Sequence, residues 1–204
     1  MKIKGRGKMQ KRLALGMLSL AGLVVILLVS GLLPSTDHFH GSVMNPAYPA
    51  PDFQLVDTQG KNFQLSAQKG SAVVLFFGYT NCPDICPMTM ATYRNVIEAL
   101  KGQASQVRFV FVTVDPARDT TQQISLFLNR FHPAIVGLTG SAAQLQQAWQ
   151  GYGVYAQGST VGNGIDHSDQ IYLIDPKGML RVIYPNDVSA ADLQADILRV
   201  LKGK

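Results

Sequence analysis

Two stretches of this chain leave room for very few structures. Residues 72–79 (AVVLFFGY) and 107–114 (VRFVFVTV) are nearly unbroken runs of β-branched, aromatic and aliphatic residues, too short for ordinary helices. A strand that is apolar at every position must be covered on both faces, as in the parallel part of an α/β sheet. Between the two runs, residues 88–100 place Ala91, Val96, Ala99 and Leu100 near helical spacing, and Gly102 offers a stop. Strand, helix of about twelve residues and strand make a parallel crossover unit with a right-handed connection.

The flanking segments extend this unit. Residues 53–55 and 62–65 surround the turn signal 57–60 (DTQG) and predict a small hairpin. A helix over about 120–130, a short strand at 135–138 and a helix capped by Ser141 and reaching Trp149 follow the crossover. Residues 170–174 and 179–184 are joined by Asp175-Pro-Lys-Gly178, where proline presets φ and glycine tolerates φ > 0, so they predict an antiparallel hairpin. Ser189 is the expected N-cap of a last helix whose apolar stripe is Leu193, Ile197, Val200 and Leu201. Hairpin, βαβ, helix, then ββα is the order of an α/β, thioredoxin-like fold with an N-terminal hairpin extension, assigned to residues 52–204.

The other end of the chain reads differently. Residues 13–33 are 21 residues without a charge, long enough at about 1.5 Å per residue to cross a hydrocarbon core of about 30 Å. The reading is a single transmembrane helix rather than a cleaved signal peptide, whose apolar region is usually about 7 to 15 residues. Six of the 18 Lys and Arg residues precede it within residues 1–12, and without them 12 basic residues face 13 acidic ones. The basic tail is therefore expected on the cytoplasmic side and the domain on the periplasmic side of the cell inner membrane, in contact with lipid through the anchor alone. No basic surface for nucleic acid is expected. Residues 34–51 hold four prolines (Pro34, Pro46, Pro49, Pro51) and little periodicity, which assigns them to a tether.

The chemistry concentrates after the first apolar strand, in Gly78-Tyr-Thr-Asn-Cys82-Pro-Asp-Ile-Cys86-Pro-Met88. Reactive groups in open α/β sheets sit at the carboxyl ends of strands. Cys86 before Pro87 is expected at the helix entrance, with Pro87 at the first helical position, so that at least one thiol feels the positive helix N-terminus and gains thiolate character. A structural disulfide between Cys82 and Cys86 would explain the pair but not its place in the fold. His167, beside Asp166, lies just before the strand at 170–174, in the loop that faces the cysteines in a thioredoxin-like fold. There is no proline between Pro133 and Pro176 to supply the cis-proline usual for thiol oxidoreductases there. Two thiolates and one imidazole suit copper, or zinc with a fourth ligand, whereas a lone loop histidine is most often merely solvated or hydrogen-bonded.

Three blocks, 76–87 (FFGYTNCPDICP), 112–120 (VTVDPARDT) and 166–178 (DHSDQIYLIDPKG), together resemble the Sco/SenC family. The resemblance spans about residues 52–201. It implies a membrane-tethered, thioredoxin-like copper chaperone that helps build the copper centre of cytochrome c oxidase, with some members acting as thiol-disulfide reductases. Its copper ligands fall on Cys82, Cys86 and His167, and Asp115 matches an acid of the middle block whose role stays open. The implied cargo is copper as Cu(I), with Cu(II) left open. The implied partners are the copper-site subunit of the oxidase, a copper donor protein and a thiol reductant protein.

Several residues carry weaker signals. Met88 and Met90 follow the cysteines and a thioether binds copper, yet core filling is the commoner role. His38 and His40 stand where a second Cu(II) site near the membrane is conceivable, against a solvated tether. Asp84 between the cysteines could steer a partner, and His132 is assigned nothing. Three function classes remain: copper carrier, thiol-disulfide reductase with Cys82 and Cys86 as catalytic sulfurs, and peroxidase. The P-x-x-x-T-x-x-C pattern of peroxiredoxins lacks its proline here, which places the peroxidase last. No organic cofactor is expected, and enzymatic activity is left open.

Overall fold

A computed structural model describes residues 38–158 and 165–203. The basic tail and the apolar segment at 13–33 lie outside the described residues, and among the described ones no helix is long and apolar enough to cross a membrane. Ten strands and four α-helices are described: β1 Ser42–Pro49, β2 Gln54–Asp57, β3 Asn62–Gln64, β4 Ala72–Gly78, α1 Ile85–Leu100, β5 Val107–Thr113, α2 Thr121–Leu128, β6 Ile135–Thr139, α3 Ala142–Gly151, β7 Ala156–Gly158, β8 Ile165–His167, β9 Ile171–Ile174, β10 Met179–Tyr184 and α4 Ala190–Leu201. Eight strands make one mixed sheet in the order β1-β10-β9-β4-β5-β6-β2-β3, and β7 pairs with β8 in a small separate ribbon.

The sheet follows from its middle. All seven residues of β4 are buried, and β5 is buried at every position but Arg108, as strands covered on both faces must be. They pair in parallel from Ala72 opposite Val107 to Gly78 opposite Thr113, with α1 as the crossover, and β6 continues in parallel beyond β5. The β9–β10 hairpin joins the other side of β4 in antiparallel register, Phe76 opposite Ile171. Ser141 and Gln144 form a reciprocal capping box at α3, and the Ser189 side chain accepts from Asp192 N–H at α4. Both starts fall where the serines place them.

The segment expected to be a tether is largely a strand. Residues 42–49 form β1, an edge strand on β10 whose register shifts between Val43 and Tyr48, around a cis Asn45–Pro46 bond. An edge strand satisfies only one side of its backbone, so it tolerates prolines that a central strand would not. The compact unit accordingly begins at Phe39 instead of Asp52. Gly41 permits the approach, since a Cβ there would lie 2.6 Å from the Tyr184 ring and 2.7 Å from Val182.

Candidate functional site

At the carboxyl end of β4 the chain crosses to α1 through residues 79–84. The Val114 N–H donates to Gly78 O at 2.8 Å, tying this end of β4 to β5, and the Cys82 N–H turns back to Tyr79 O at 3.3 Å. Helix α1 begins at Ile85, two residues before the expected start, so Cys86 lies inside its first turn. Pro87 then occupies the third helical position, where its missing N–H costs nothing because first-turn N–H groups have no intrahelical acceptor. One of those N–H groups, that of Cys86, donates to Cys82 Sγ at 3.4 Å. Both residues stand as thiols, Cys82 half-buried and Cys86 fully buried. Space for the inner sulfur depends on Gly78, where a Cβ would lie 2.9 Å from Cys86 Sγ and 2.6 Å from the Phe76 ring.

At least one of the two thiols is expected to gain thiolate character, and Cys86 is not that one. Its thiol is pushed far above the usual range, first by the hydrogen bond it shares with Cys82, then by burial and by the charge of the Cys82 sulfur. A backbone hydrogen bond with Tyr79 opposes this, and the charge of Asp119 adds to it. The helix terminus acts instead on Cys82, whose sulfur receives the N–H.

Behind the cysteine loop lies a buried carboxylate the sequence reading passed over. Asp119 is 1% exposed and accepts from Thr80 N–H at 3.1 and 3.2 Å, from Thr80 Oγ1 at 2.6 Å and from Thr113 Oγ1 at 2.7 Å. Burial raises its pKa, while the Thr80 and Thr113 hydrogen bonds pull it back. Asp115, buried and ion-paired with Arg118, accepts from the Asp119 N–H through its carbonyl at 2.8 Å. Asp115 thus shapes the turn, and Asp119 reaches the loop. Its sequence signal was the second acid of Asp115-Pro-Ala-Arg118-Asp119.

His167 ends β8, its backbone opposite Ala156 of β7, where a plain loop was expected. The next residue is fixed, with Ser168 N–H donating to Tyr155 O at 3.2 Å and Tyr155 N–H donating to Ser168 Oγ at 3.3 Å. Three residues on, β9 starts at Ile171, opposite Phe76 of β4 and antiparallel to it. The chain therefore enters β9 at the sheet end from which β4 leaves toward Cys82, and the topology brings the His167 backbone position to that end. Among the described residues no group of three or more His, Cys, Asp or Glu side chains could hold a metal ion; the His167 side chain lies outside that set.

The minor candidates separate cleanly. Met90 is wholly buried and fills the core, whereas Met88 is 56% exposed beside the cysteines. Asp84 is exposed at the N-cap of α1 and makes no capping hydrogen bond. His132 Nδ1 accepts from Ala134 N–H within its own turn. His40 is engaged by the buried Asp196, with its N–H 2.8 Å from Oδ2 and Nδ1 2.9 Å from Oδ1, so it does not stand on a solvated tether.

A mixed sheet carrying two thiols at a strand end and helix entrance defines a thioredoxin-like dithiol domain. Residues 44–202 match the SCO1/SenC family model, and the chain belongs to that family. It is 35% identical over 154 residues to the protein SCO2 homolog, mitochondrial, of Bos taurus, covering 72% of this chain and 58% of that protein. The structure of Bradyrhizobium japonicum ScoI with copper bound superposes with a TM-score of 0.69 at 33% identity, covering 75% of this chain and 99% of that one. BsSco, described as a member of the Sco family of cytochrome c oxidase assembly proteins with a disulfide switch, superposes with a TM-score of 0.65 at 25% identity, covering 78% and 96%.

Proposed function

We propose that this protein is a membrane-anchored copper chaperone that binds one copper ion through Cys82, Cys86 and His167 and passes it to the copper centre of cytochrome c oxidase during assembly. The observation that carries the reading is the pair of thiols stacked at the entrance of α1, in a family that includes copper-bound structures. The donor set suits soft copper: two sulfurs, one already receiving a helix N–H, and an imidazole on the segment that leads into β9 at the same end of the sheet. Thiols must deprotonate to ligate, so loading the ion releases protons. Cys82, the more accessible sulfur, is the one that first meets donor or recipient. Residues 13–33 hold the domain at the inner membrane, facing the periplasm.

The second reading is a thiol-disulfide reductase that keeps a partner's metal-site cysteines reduced. The disulfide switch described for BsSco favours it, as does the Cys82–Cys86 contact, because one sulfur can attack while the other resolves. His167→Ala separates the two, since an imidazole completes a metal site but carries no electrons between sulfurs. In a chaperone, His167→Ala weakens Cu(I) binding by at least about 10-fold and fails to restore oxidase activity in cells at low copper. Cys82→Ser and Cys86→Ser abolish both. Full rescue by His167→Ala alongside failure of both cysteine variants would overturn the chaperone in favour of the reductase.

A further inference from the structure

We infer that Asp119 is a positioning residue that clamps the loop between β4 and α1 and thereby keeps the two cysteine sulfurs together, whether they share a metal ion or a disulfide. The inference rests on the dithiol site proposed above but does not depend on copper being its cargo. Thr80 is two residues before Cys82 and is held by Asp119 through both its N–H and its hydroxyl. The carboxylate is itself fixed from behind: the Thr113 hydroxyl, on the strand adjoining β4, donates to the same oxygen pair. The Thr113 carbonyl accepts from Trp149 Nε1 at 3.1 Å, and the Asp115 N–H donates to Thr113 Oγ1 at 2.9 Å. The clamp therefore runs from the centre of the sheet to the loop that carries Cys82, while Cys86 is fixed independently by α1 and by burial in the core. A carboxylate withdrawn from water is retained at cost, and here four donor contacts on two loop and strand residues offset that cost.

Because the clamp sets the juxtaposition of two sulfurs, its loss weakens events that need both and leaves events at one sulfur unhindered. Disulfide formation with a glutathione buffer is such a two-sulfur event. The two thiols give two electrons and two protons to one oxidised glutathione, which leaves as two reduced molecules, and an S–S bond forms between Cys82 and Cys86. Removing the clamp lowers the effective concentration of one sulfur at the other. Metal binding falls for the same reason, as it does when groups supporting a ligand are lost.

The test uses the reduced full-length chain and three readouts: the Cys82–Cys86 equilibrium in glutathione buffers, Cu(I) affinity by competition with a chromophoric chelator, and the initial rate of alkylation by iodoacetamide. Asp119→Ala and Thr80→Val should each make the disulfide about 10-fold less stable, a rise of about 30 mV for a two-electron couple, and weaken Cu(I) binding about 10-fold. Alkylation should be at least as fast as in the wild type. Thr80→Ser, which keeps the hydroxyl, should restore the wild-type disulfide equilibrium, a rescue that general destabilisation does not provide. Wild-type disulfide stability in both Asp119→Ala and Thr80→Val, or Thr80→Ser behaving as Thr80→Val, would overturn the clamp. If Cu(I) binding is absent from the wild type while the disulfide equilibrium shifts as described, the clamp stands and the copper reading fails.

Discussion

At Asp119 one carboxyl group ties the cysteine loop to the sheet and also gives stability a pH dependence of definite sign. Burial holds its pKa above the ordinary value of 3.8, against the hydrogen bonds from Thr80 and Thr113. The folded chain therefore keeps this proton more tightly than the unfolded chain. The group's stabilising share is complete below the ordinary value and is lost as pH rises through the raised one. In Asp119→Asn nothing titrates there, so the stability of the wild type relative to this variant should decline as pH rises from 3 to 7, with a slope of at most about 1.4 kcal/mol per pH unit. Urea unfolding of both chains at several pH values measures it, and a difference moving toward the wild type with rising pH would contradict the assignment. Cys82 and Cys86 were legible from their spacing and their place after an apolar strand. The upward push on the Cys86 thiol was not, because it depends on the hydrogen bond with Cys82 and on how deeply the first turn of α1 sinks into the core.

At the scale of elements, β1 shows where composition misleads. Its prolines argue for a tether, but β10 needs a neighbour and the chain after Phe39 is fastened to α4. Asp196 is fully buried in the apolar stripe of α4 and is reached by the His40 N–H, His40 Nδ1 and the Tyr184 hydroxyl, the last at 2.8 Å. The Phe39 ring lies 5.5 Å from the Arg181 guanidinium and 5.3 Å from that of Arg199. His40→Ala leaves the buried carboxylate short of one partner and should destabilise the chain by about 1 to 3 kcal/mol, more than an exposed ion pair contributes. Chemical denaturation tests this, and a loss below about 0.5 kcal/mol would show that His40 does not hold the strand. An acid between Leu193 and Ile197 was visible in the sequence as a break in the stripe; its partner 156 positions away was not.

For the molecule as a whole, the proposed anchor is the apolar segment at 13–33. The proposed topology places the domain outside the inner membrane, because basic residues before an apolar span stay in the cytoplasm. In spheroplasts, added protease should therefore remove the domain, followed by blotting against it. Protection of the domain, or recovery of a soluble form lacking residues 1–33, would count against the anchor.

The sequence alone determined what repeats locally or is set by a few neighbours: the buried β4 and β5, the α1 crossover, the Asp175–Gly178 turn, the serine caps and the cysteines at a strand end. Each is decided by periodicity, by a backbone preference of Pro or Gly, or by a side chain bonding its own helix. Only the tertiary structure decided the fate of residues 42–49, the small β7–β8 ribbon, the burial of Cys86 and the surroundings of Asp119 and Asp196. These turn on partners far away in the chain, and the free energy of a buried charge or an edge strand is fixed by what meets it, which no local pattern encodes.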